Sequence, residues 1–444
     1  MALMVGVSGV RGLVGETLTP QVVLEFAQAY GTLLGGGRVV LARDSRPSGE
    51  LYEAAALAGL LSTGCRVMRL GVAMTPTVGR TIRAESYDGG LSITASHNPQ
   101  PWNGVKFFDR LGSSPEPQRA QEIAALRAAG SFRAIKSGFQ AVQVDPDAGA
   151  RHVDAVLAAV EVDRSPLRGR RVVLDSVNGT GGLYTPALLT ALGCEVVHLN
   201  SEPTGEFAHP PEPLAENLTQ LCDAVRQSRA AAGFAQDPDA DRLAIADENG
   251  VYIGEEYTLA LATAAVLARR PGPVAANLST SRMIDDIAAR YGVPVLRTPV
   301  GEAHVARAVL NGHCVVGGEG NGGVIDPRIC LVRDSLSAIS LVLQLMAATG
   351  KKISELVAEW PRYVVIKQKA ECPRARIDAA VAAIARAFAD RQPNTTDGVR
   401  VDFPQGWVHV RASNTEPIIR LIAEAVDQRT ADELISHVRA AAGL

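Results

Sequence analysis

The chain has few aromatic residues, 5% of 444, and a net charge of only −3. It has no basic stripe with interleaved aromatics, so nucleic acid is not expected as its main partner. Any phosphate it handles would have to meet local positive charge. Its six cysteines (Cys65, Cys194, Cys222, Cys314, Cys330, Cys372) are scattered and form no C-x-x-C pair. That argues against a zinc ribbon or a dithiol redox site and suits reduced, mostly buried thiols of a cytoplasmic protein. No uninterrupted apolar run reaches the roughly 18 residues of a membrane helix. Met1-Ala2-Leu3-Met4-Val5 carries neither a charged n-region nor a cleavage pattern, so neither export nor a membrane span is expected. The Gly-x-Ser-x-Gly elbow of serine hydrolases is missing as well.

What is present is the composition of a large globular protein, 47% hydrophobic and 20% charged, long enough for several domains. One order of elements recurs three times. Arg38-Val39-Val40-Leu41-Ala42 reads as a strand, followed by an alanine-rich helix, a second strand over 64–70 and a third ending near Ser96. The order returns with 171–174, 193–199 and the strand before Asp237, then with 273–276, 292–296 and 312–316, which runs into Gly317-Gly318-Glu319-Gly320-Asn321-Gly322-Gly323. Strands alternating with helices indicate α/β layers, whose ligands collect outside the strand ends. All three repeats thus aim a third-strand loop at one cleft.

After Trp360-Pro361 the pattern changes. A strand over 363–367, a helix over 377–390, three strands (399–403, 407–410, 418–422) and a helix over 431–442 predict a smaller α+β domain. The expected domains are 1–149, 150–250, 251–361 and 362–444, with the loop Arg411 to Pro417 folding over the cleft.

The chemistry lies in the loops. Asp237-Pro238-Asp239-Ala240-Asp241-Arg242 supplies three carboxylates at alternate positions, stiffened by Pro238. Carboxylates that close repel unless a cation neutralises them, and hard oxygens alone suit Mg²⁺. Counting Asp237 as position one, Glu248 stands at position twelve, as in a calcium-binding helix–loop–helix. That reading fails because position six is Arg242 rather than glycine and Leu243-Ala244-Ile245-Ala246 reads as a strand. Thr94-Ala95-Ser96-His97-Asn98-Pro99 follows an apolar run, placing Ser96 where a strand leaves its sheet. A Ser96–His97 nucleophile and base is disfavoured, since neighbours on an extended chain point apart. With a metal site elsewhere, Ser96 reads as a phosphorylatable hydroxyl.

Asn103-Gly104 reads as a turn before the strand 105–108, on which Lys106 pairs with phosphate, shuttles a proton, or is simply solvated. Arg411-Ala412-Ser413-Asn414-Thr415-Glu416-Pro417 gathers the donors a phosphate needs, although an ordinary hairpin turn also favours Asn and Thr. Glu319 lies among glycines, where backbone can approach a ligand closely and the carboxylate can accept from sugar hydroxyls. Arg11 in Ser8-Gly9-Val10-Arg11-Gly12, Arg43-Asp44-Ser45-Arg46 and Arg297-Thr298-Pro299-Val300-Gly301 each follow or border strands and say little singly.

Together, in order and over the whole chain, these segments resemble the α-D-phosphohexomutase family in its archaeal-type variant. Thr94 to Pro99 is similar to its phosphoserine loop, Asp237 to Arg242 to its Mg²⁺ loop, Gly317 to Gly323 to its sugar loop, and Arg411 to Pro417 to its phosphate loop. The resemblance implies a four-domain, heart-shaped protein with three similar α/β domains of mixed sheets and a TATA-box-binding-protein-like α+β fourth. It implies phosphorylated Ser96, with Asp237, Asp239, Asp241 and the serine phosphate holding one Mg²⁺. It assigns Arg11, Lys106 and Arg242 to the active-site phosphate and proton transfer, with His97 beside them. Arg411, Ser413, Asn414 and Thr415 become the clamp on the distal phosphate of a phosphosugar.

The implied activity interconverts hexose 6-phosphate and hexose 1-phosphate through a hexose 1,6-bisphosphate. Glucosamine phosphate is favoured because Glu319 also suits a 2-amino group; glucose, mannose or pentose phosphates, or a metal-dependent phosphatase, are the alternatives. Where many members have a serine and a histidine in the sugar loop, this chain has Asn321 and no histidine, and His304 is the candidate replacement. None of these features decides for or against a homodimer.

Overall fold

The computed structural model describes residues 3–412 and 418–443, organised around four sheets. The first holds β1 (Met4–Gly6), β2 (Gly9–Leu13), β3 (Arg38–Arg43), β4 (Arg66–Val72), β5 (Gly89–Ile93), β6 (Trp102–Phe108) and β7 (Gln143–Val144), in the order β1-β2-β6-β5-β3-β4-β7. The second holds β8 (Arg171–Asp175), β9 (Glu195–Leu199), β10 (Ala232–Gln236) and β11 (Leu243–Ala246), ordered β11-β10-β8-β9. In the third, β12 (Val274–Asn277), β13 (Val295–Thr298), β14 (Val316–Glu319) and β15 (Gly323–Ile325) are ordered β13-β12-β14-β15.

These three sheets share one kernel. β3 lies parallel to β4 and β5, with β6 antiparallel to β5. β8 lies parallel to β9 and β10, with β11 antiparallel to β10. β12 lies parallel to β13 and β14, with β15 antiparallel to β14. The central strands are short and buried, as parallel pairing requires; β3 and β8 are β-branched runs, whereas β10 and β12 are built largely of small residues. In each kernel the third strand (β5, β10, β14) ends at a predicted loop: Ser96, Asp237 or Glu319.

The fourth sheet is wholly antiparallel. β16 (Val364–Glu371), β17 (Val399–Phe403), β18 (Gly406–Ala412) and β19 (Ile418–Ala425) are ordered β16-β19-β18-β17, with helices Arg374–Ala387 and Gln428–Ala442. It has its own core, built on Val401, Val410, Leu421, Ile435 and Val438. By contrast, one continuous apolar cluster runs through the first three domains, from Val40 through Leu174 and Phe234 to Ile339 and Trp360. The last domain meets the third through polar contacts: Arg400 Nη1 donates to Leu278 O (2.6 Å), Ser279 Oγ and His409 Nδ1 lie 2.8 Å apart, and Arg282 N donates to Glu424 Oε1 (2.9 Å).

Two expectations need correction. Asn103-Gly104 is not a turn but lies inside β6. A Cβ at Gly104 would collide with the carbonyls of Val10 and Thr94, so the glycine serves close strand packing. The third repeat's last strand begins at Val316 rather than at residue 312, because Gly312-His313 closes the preceding helix Glu302–Asn311. Five cysteines are buried, Cys222 is partly so, and all six thiols are free. No helix among the described residues is long and apolar enough to cross a membrane.

Candidate active site

Ser96 is buried and takes a left-handed conformation, φ +52°, that a non-glycine residue adopts at a cost of about 1 kcal/mol or more. The surroundings enforce it. Its N–H donates to Thr94 Oγ1 (2.9 Å), and Thr94 Oγ1 donates to Asp44 Oδ2 (2.7 Å). Its carbonyl accepts from Arg46 Nη2 (2.7 Å). The fully buried Arg46 spends its remaining donors on Asp44 Oδ2 and the carbonyls of Asn98, Pro99 and Trp102, at 2.6–3.1 Å. The turn at Ser96 also overturns the expectation that Ser96 and His97 point apart, since Ser96 Oγ lies 3.3 Å from His97 Nδ1. Burial, with Arg242 and Arg11 nearby, pushes the imidazole pKa down to about 2, which favours neutral His97.

Ser96 Oγ donates to Asp237 Oδ2 (3.0 Å), 141 residues further along the chain. Asp237, Asp239 and Asp241 are all buried and offer oxygens within 4.8 Å of one another. Local structure shapes this loop. Asp237 Oδ1 accepts from the N–H groups of Asp241 and Arg242, and Ala240 sits at φ +55°. The first domain holds it through Thr75, which donates from N to Asp239 O (3.0 Å) and from Oγ1 to Asp239 Oδ2 (2.5 Å). The third holds it through Ser335 Oγ, which donates to Ala240 O (2.7 Å).

Lys106, on β6, donates to Asp239 Oδ2 (2.6 Å) and Asp241 Oδ2 (3.0 Å). Burial disfavours the ammonium, but these two carboxylates outweigh it and raise its pKa. Burial and the neighbouring Asp241 and Asp239 push the Asp237 carboxyl well up. Asp241 is equally buried, yet Arg333, Lys106 and Arg242 hold it well below the usual carboxylate range. Asp239 Oδ1 and Asp241 Oδ1 are buried without a hydrogen-bond partner among the described residues. Orphaned anionic oxygens beside a third carboxylate and a hydroxyl are the donor set a small hard cation takes, so the residues present fit Mg²⁺.

The other predicted residues line an adjoining cleft of about 580 Å³: Arg11, Lys106, Arg242, His304, Glu319, Asn321 and Arg411. Arg411 also borders a smaller cavity of about 250 Å³ between the third and fourth domains, with Lys367 and Arg420. Ser413, Asn414 and Thr415 lie outside the described residues. Glu319 is buried, its Oε1 accepting from Asn277 Nδ2 (2.8 Å) and Gly301 N (3.2 Å) and its Oε2 from Arg333 Nη1 (2.8 Å).

Gly320 borders the smaller cavity beside Glu319 and Asn321, and the glycines of this loop also answer to packing. A Cβ at Gly320 would strike the Glu256 carboxylate, one at Gly322 the Leu243 carbonyl, and one at Gly323 the Arg333 side chain. They make room for the protein itself. Arg297 likewise is structural, donating to the carbonyls of Asn277, Thr280 and Ser281.

Sequence reasoning missed Arg333, Glu302 and the role of Arg46. Arg333-Asp334 shows only a helix start, with Asp334 capping the helix Ser335–Thr349, and nothing local marks the arginine. Asp44 and Arg46 bond each other two residues apart, a spacing that hints at a clasp but not at its target.

The chain matches family models over nearly its whole length. These are the phosphoglucomutase/phosphomannomutase alpha/beta/alpha domains I (residues 2–134), II (150–250) and III (254–363) and the C-terminal domain (368–441). It is 39% identical over 434 residues to a probable phosphoglucosamine mutase of Methanopyrus kandleri, covering 97% of this chain and 95% of that protein. It is 40% identical over 444 residues to a phosphoglucomutase/phosphomannomutase of Thermococcus kodakarensis, covering 98% and 97%. The crystal structure of a phosphoglucomutase/phosphomannomutase family protein from Burkholderia thailandensis superposes with a TM-score of 0.87 at 26% identity, covering 98% and 96%. The chain therefore belongs to the phosphoglucomutase/phosphomannomutase family, the α-D-phosphohexomutases, and is an enzyme of the phosphomutase class.

Proposed function

We propose that the protein interconverts hexose 6-phosphate and hexose 1-phosphate through phosphorylated Ser96. The observation that carries this is the meeting of Ser96 Oγ with Asp237 Oδ2 at 3.0 Å, inside a buried three-aspartate cluster that borders a basic cleft. The phosphoryl group on Ser96 passes to the free hydroxyl of the hexose phosphate, giving the 1,6-bisphosphate and free Ser96. The sugar turns end for end, and its other phosphoryl group returns to Ser96, leaving the isomeric monophosphate.

Asp237, Asp239 and Asp241, with an oxygen of the serine phosphate, would hold the Mg²⁺ ion, which offsets charge on the transferring oxygens. Phosphoserine adds nearly two negative charges and the cation two positive ones, so binding both leaves the charge of the pocket almost unchanged. Lys106, Arg242 and Arg11, which line the cleft, would face that phosphate, and His97 beside Ser96 can donate an N–H to its oxygens. Lys106 is the candidate carrier of the proton that the sugar hydroxyl gives up and Ser96 Oγ takes back.

Arg411 holds the distal phosphate together with the 413–415 segment. Glu319 and Asn321 meet the sugar, and His304, on the cleft wall, stands in for the loop histidine of other members. Among the described residues Glu319 Oε2 accepts one bond, leaving a lone pair for a sugar hydroxyl or, in glucosamine phosphate, for the 2-ammonium group, whose charge it would also meet. The separate core and polar margin of the last domain suit its closing over the cleft to exclude water while the bisphosphate turns. Six free thiols favour the cytoplasm.

The test is mutase turnover of glucosamine, glucose and mannose 1-phosphates by the wild type and by Ser96→Ala. Activity on at least one sugar, lost in the variant, is expected; full activity in Ser96→Ala defeats the reading.

A further inference from the structure

Arg333 sits between β15 and the helix Ser335–Thr349, and its guanidinium joins three carboxylates from two domains. Nη2 donates to Asp241 Oδ2 (2.7 Å), Nη1 to Glu319 Oε2 (2.8 Å), and Nε lies 3.0 Å from Glu302 Oε2. Its backbone N–H also donates to Glu302 Oε2 (3.2 Å). The backbone position is rigid. Asp334 accepts from the N–H groups of Leu336 and Ser337 at the start of the helix, and a buried chain from Thr77 Oγ1 through His152 (2.9 and 3.2 Å) anchors Asp334 in turn. The side-chain stem passes over Gly323, where any Cβ would occupy the same space. One guanidinium thus spans the aspartate loop of the second domain and the sugar loop of the third, and it borders the cleft.

We propose that Arg333 is a positioning residue that makes the metal site and the sugar site one device. It holds Glu319 in the orientation that receives the sugar, and it competes with the cation for Asp241. This rests on the reading of the site given above. Glu319 keeps its orientation only while Nη1 grips Oε2, because Asn277 and Gly301 hold just the other oxygen. Asp241 Oδ2, shared with Lys106, is in the grip of two cations whenever no metal is bound. Asp241 Oδ1 is the oxygen left for a divalent ion, which would share this carboxylate with Arg333 and Lys106 on Oδ2, so the positive charges oppose one another there. Metal and phosphosugar affinities become linked through one side chain, and linkage is reciprocal.

A residue that merely supports the fold would weaken both ligands when replaced. Arg333 as described separates them. Removing its charge takes a cation away from the metal site, so Arg333→Met should bind Mg²⁺ about tenfold more tightly. It frees Glu319, so the same variant should bind the 1-phosphate about tenfold more weakly. Arg333→Lys keeps the charge but loses the fork. It should hold Mg²⁺ within about threefold of the wild type while still losing phosphosugar affinity. Gly323→Ala, which displaces the stem without touching any charge, should resemble Arg333→Lys.

The experiment is calorimetric titration of unphosphorylated protein with Mg²⁺ alone, then with the 1-phosphate that the wild type turns over. Both titrations are run on the wild type, Arg333→Met, Arg333→Lys and Gly323→Ala, with melting curves to identify variants that do not fold. Opposite shifts in Arg333→Met, or a phosphosugar loss with retained Mg²⁺ affinity in the other two, support the proposal. A shift of both affinities in the same direction in every folded variant, or no shift in either, overturns it while leaving the mutase reading intact. A wild type that binds no Mg²⁺ defeats the metal-site reading and this proposal together.

Discussion

Replacing Arg46 by methionine should damage the enzyme more than any comparable change outside the metal loop. The side chain is fully buried, paired with the equally buried Asp44 at 3.1 Å, and bonded to four carbonyls of the segment 96–102. Methionine fills much of the volume and supplies none of the donors. Breaking a buried ion pair from one side costs about 3–5 kcal/mol, because the remaining charge is left uncompensated. The released carbonyls and the strained turn at Ser96 place the expected loss toward the upper end of that range. For a cooperative unit of this size about 4 kcal/mol lowers the melting temperature by roughly 10 °C. Calorimetric melting and urea titration read the stability, and turnover below the new transition reads the site. Arg46→Lys, which can restore the pair with Asp44 but not the fan of carbonyl bonds, should recover part of the stability and little of the turnover. A loss below about 1 kcal/mol in Arg46→Met, with turnover unimpaired, would refute the clamp.

Other outcomes follow from single residues. Lys106→Met should cut turnover by about 10²-fold or more while leaving the fold intact, measured by steady-state kinetics and circular dichroism. Burial raises the Glu256 pKa from 4.5 to about 8, so the folded state binds a proton that the unfolded chain releases. Its contribution is complete below pH 4.5 and is lost as pH rises to about 8, a span worth up to roughly 5 kcal/mol; Glu256→Gln should flatten the stability profile there. Burial depresses His409 to about 4, so its contribution is present above pH 6.5 and fades as pH falls toward 4; urea titration across that range should show less acid sensitivity in His409→Gln. Gly104→Ala should lower the melting temperature by several degrees by forcing β2 from β6.

Much of this was legible in the chain because its signals are local. The β-branched runs at 38–42 and 171–174 mark central parallel strands, and the three loops that end the third strands announced the cleft. The alternating aspartates announced an acidic cluster, and the structure gathers their oxygens within 4.8 Å of one another. What escaped was non-local or conformational. Ser96 was expected on an extended chain, but Arg46 and Thr94 hold it in a left-handed turn, and that turn brings His97 to its hydroxyl. The glycines near Glu319 were legible as a close-approach loop, but not their accommodation of Glu256, Leu243 and Arg333. Arg333 itself gives no local sign, because its partners lie 92 and 14 residues away.

The central claim is that Ser96 carries the phosphoryl group. Incubation with hexose 1,6-bisphosphate labelled with ³²P, followed by peptide mapping, tests it directly: the label should appear on Ser96 when Mg²⁺ is present and leave on addition of unlabelled hexose 1-phosphate. Label on any other residue, or an active enzyme that is never labelled, would contradict it.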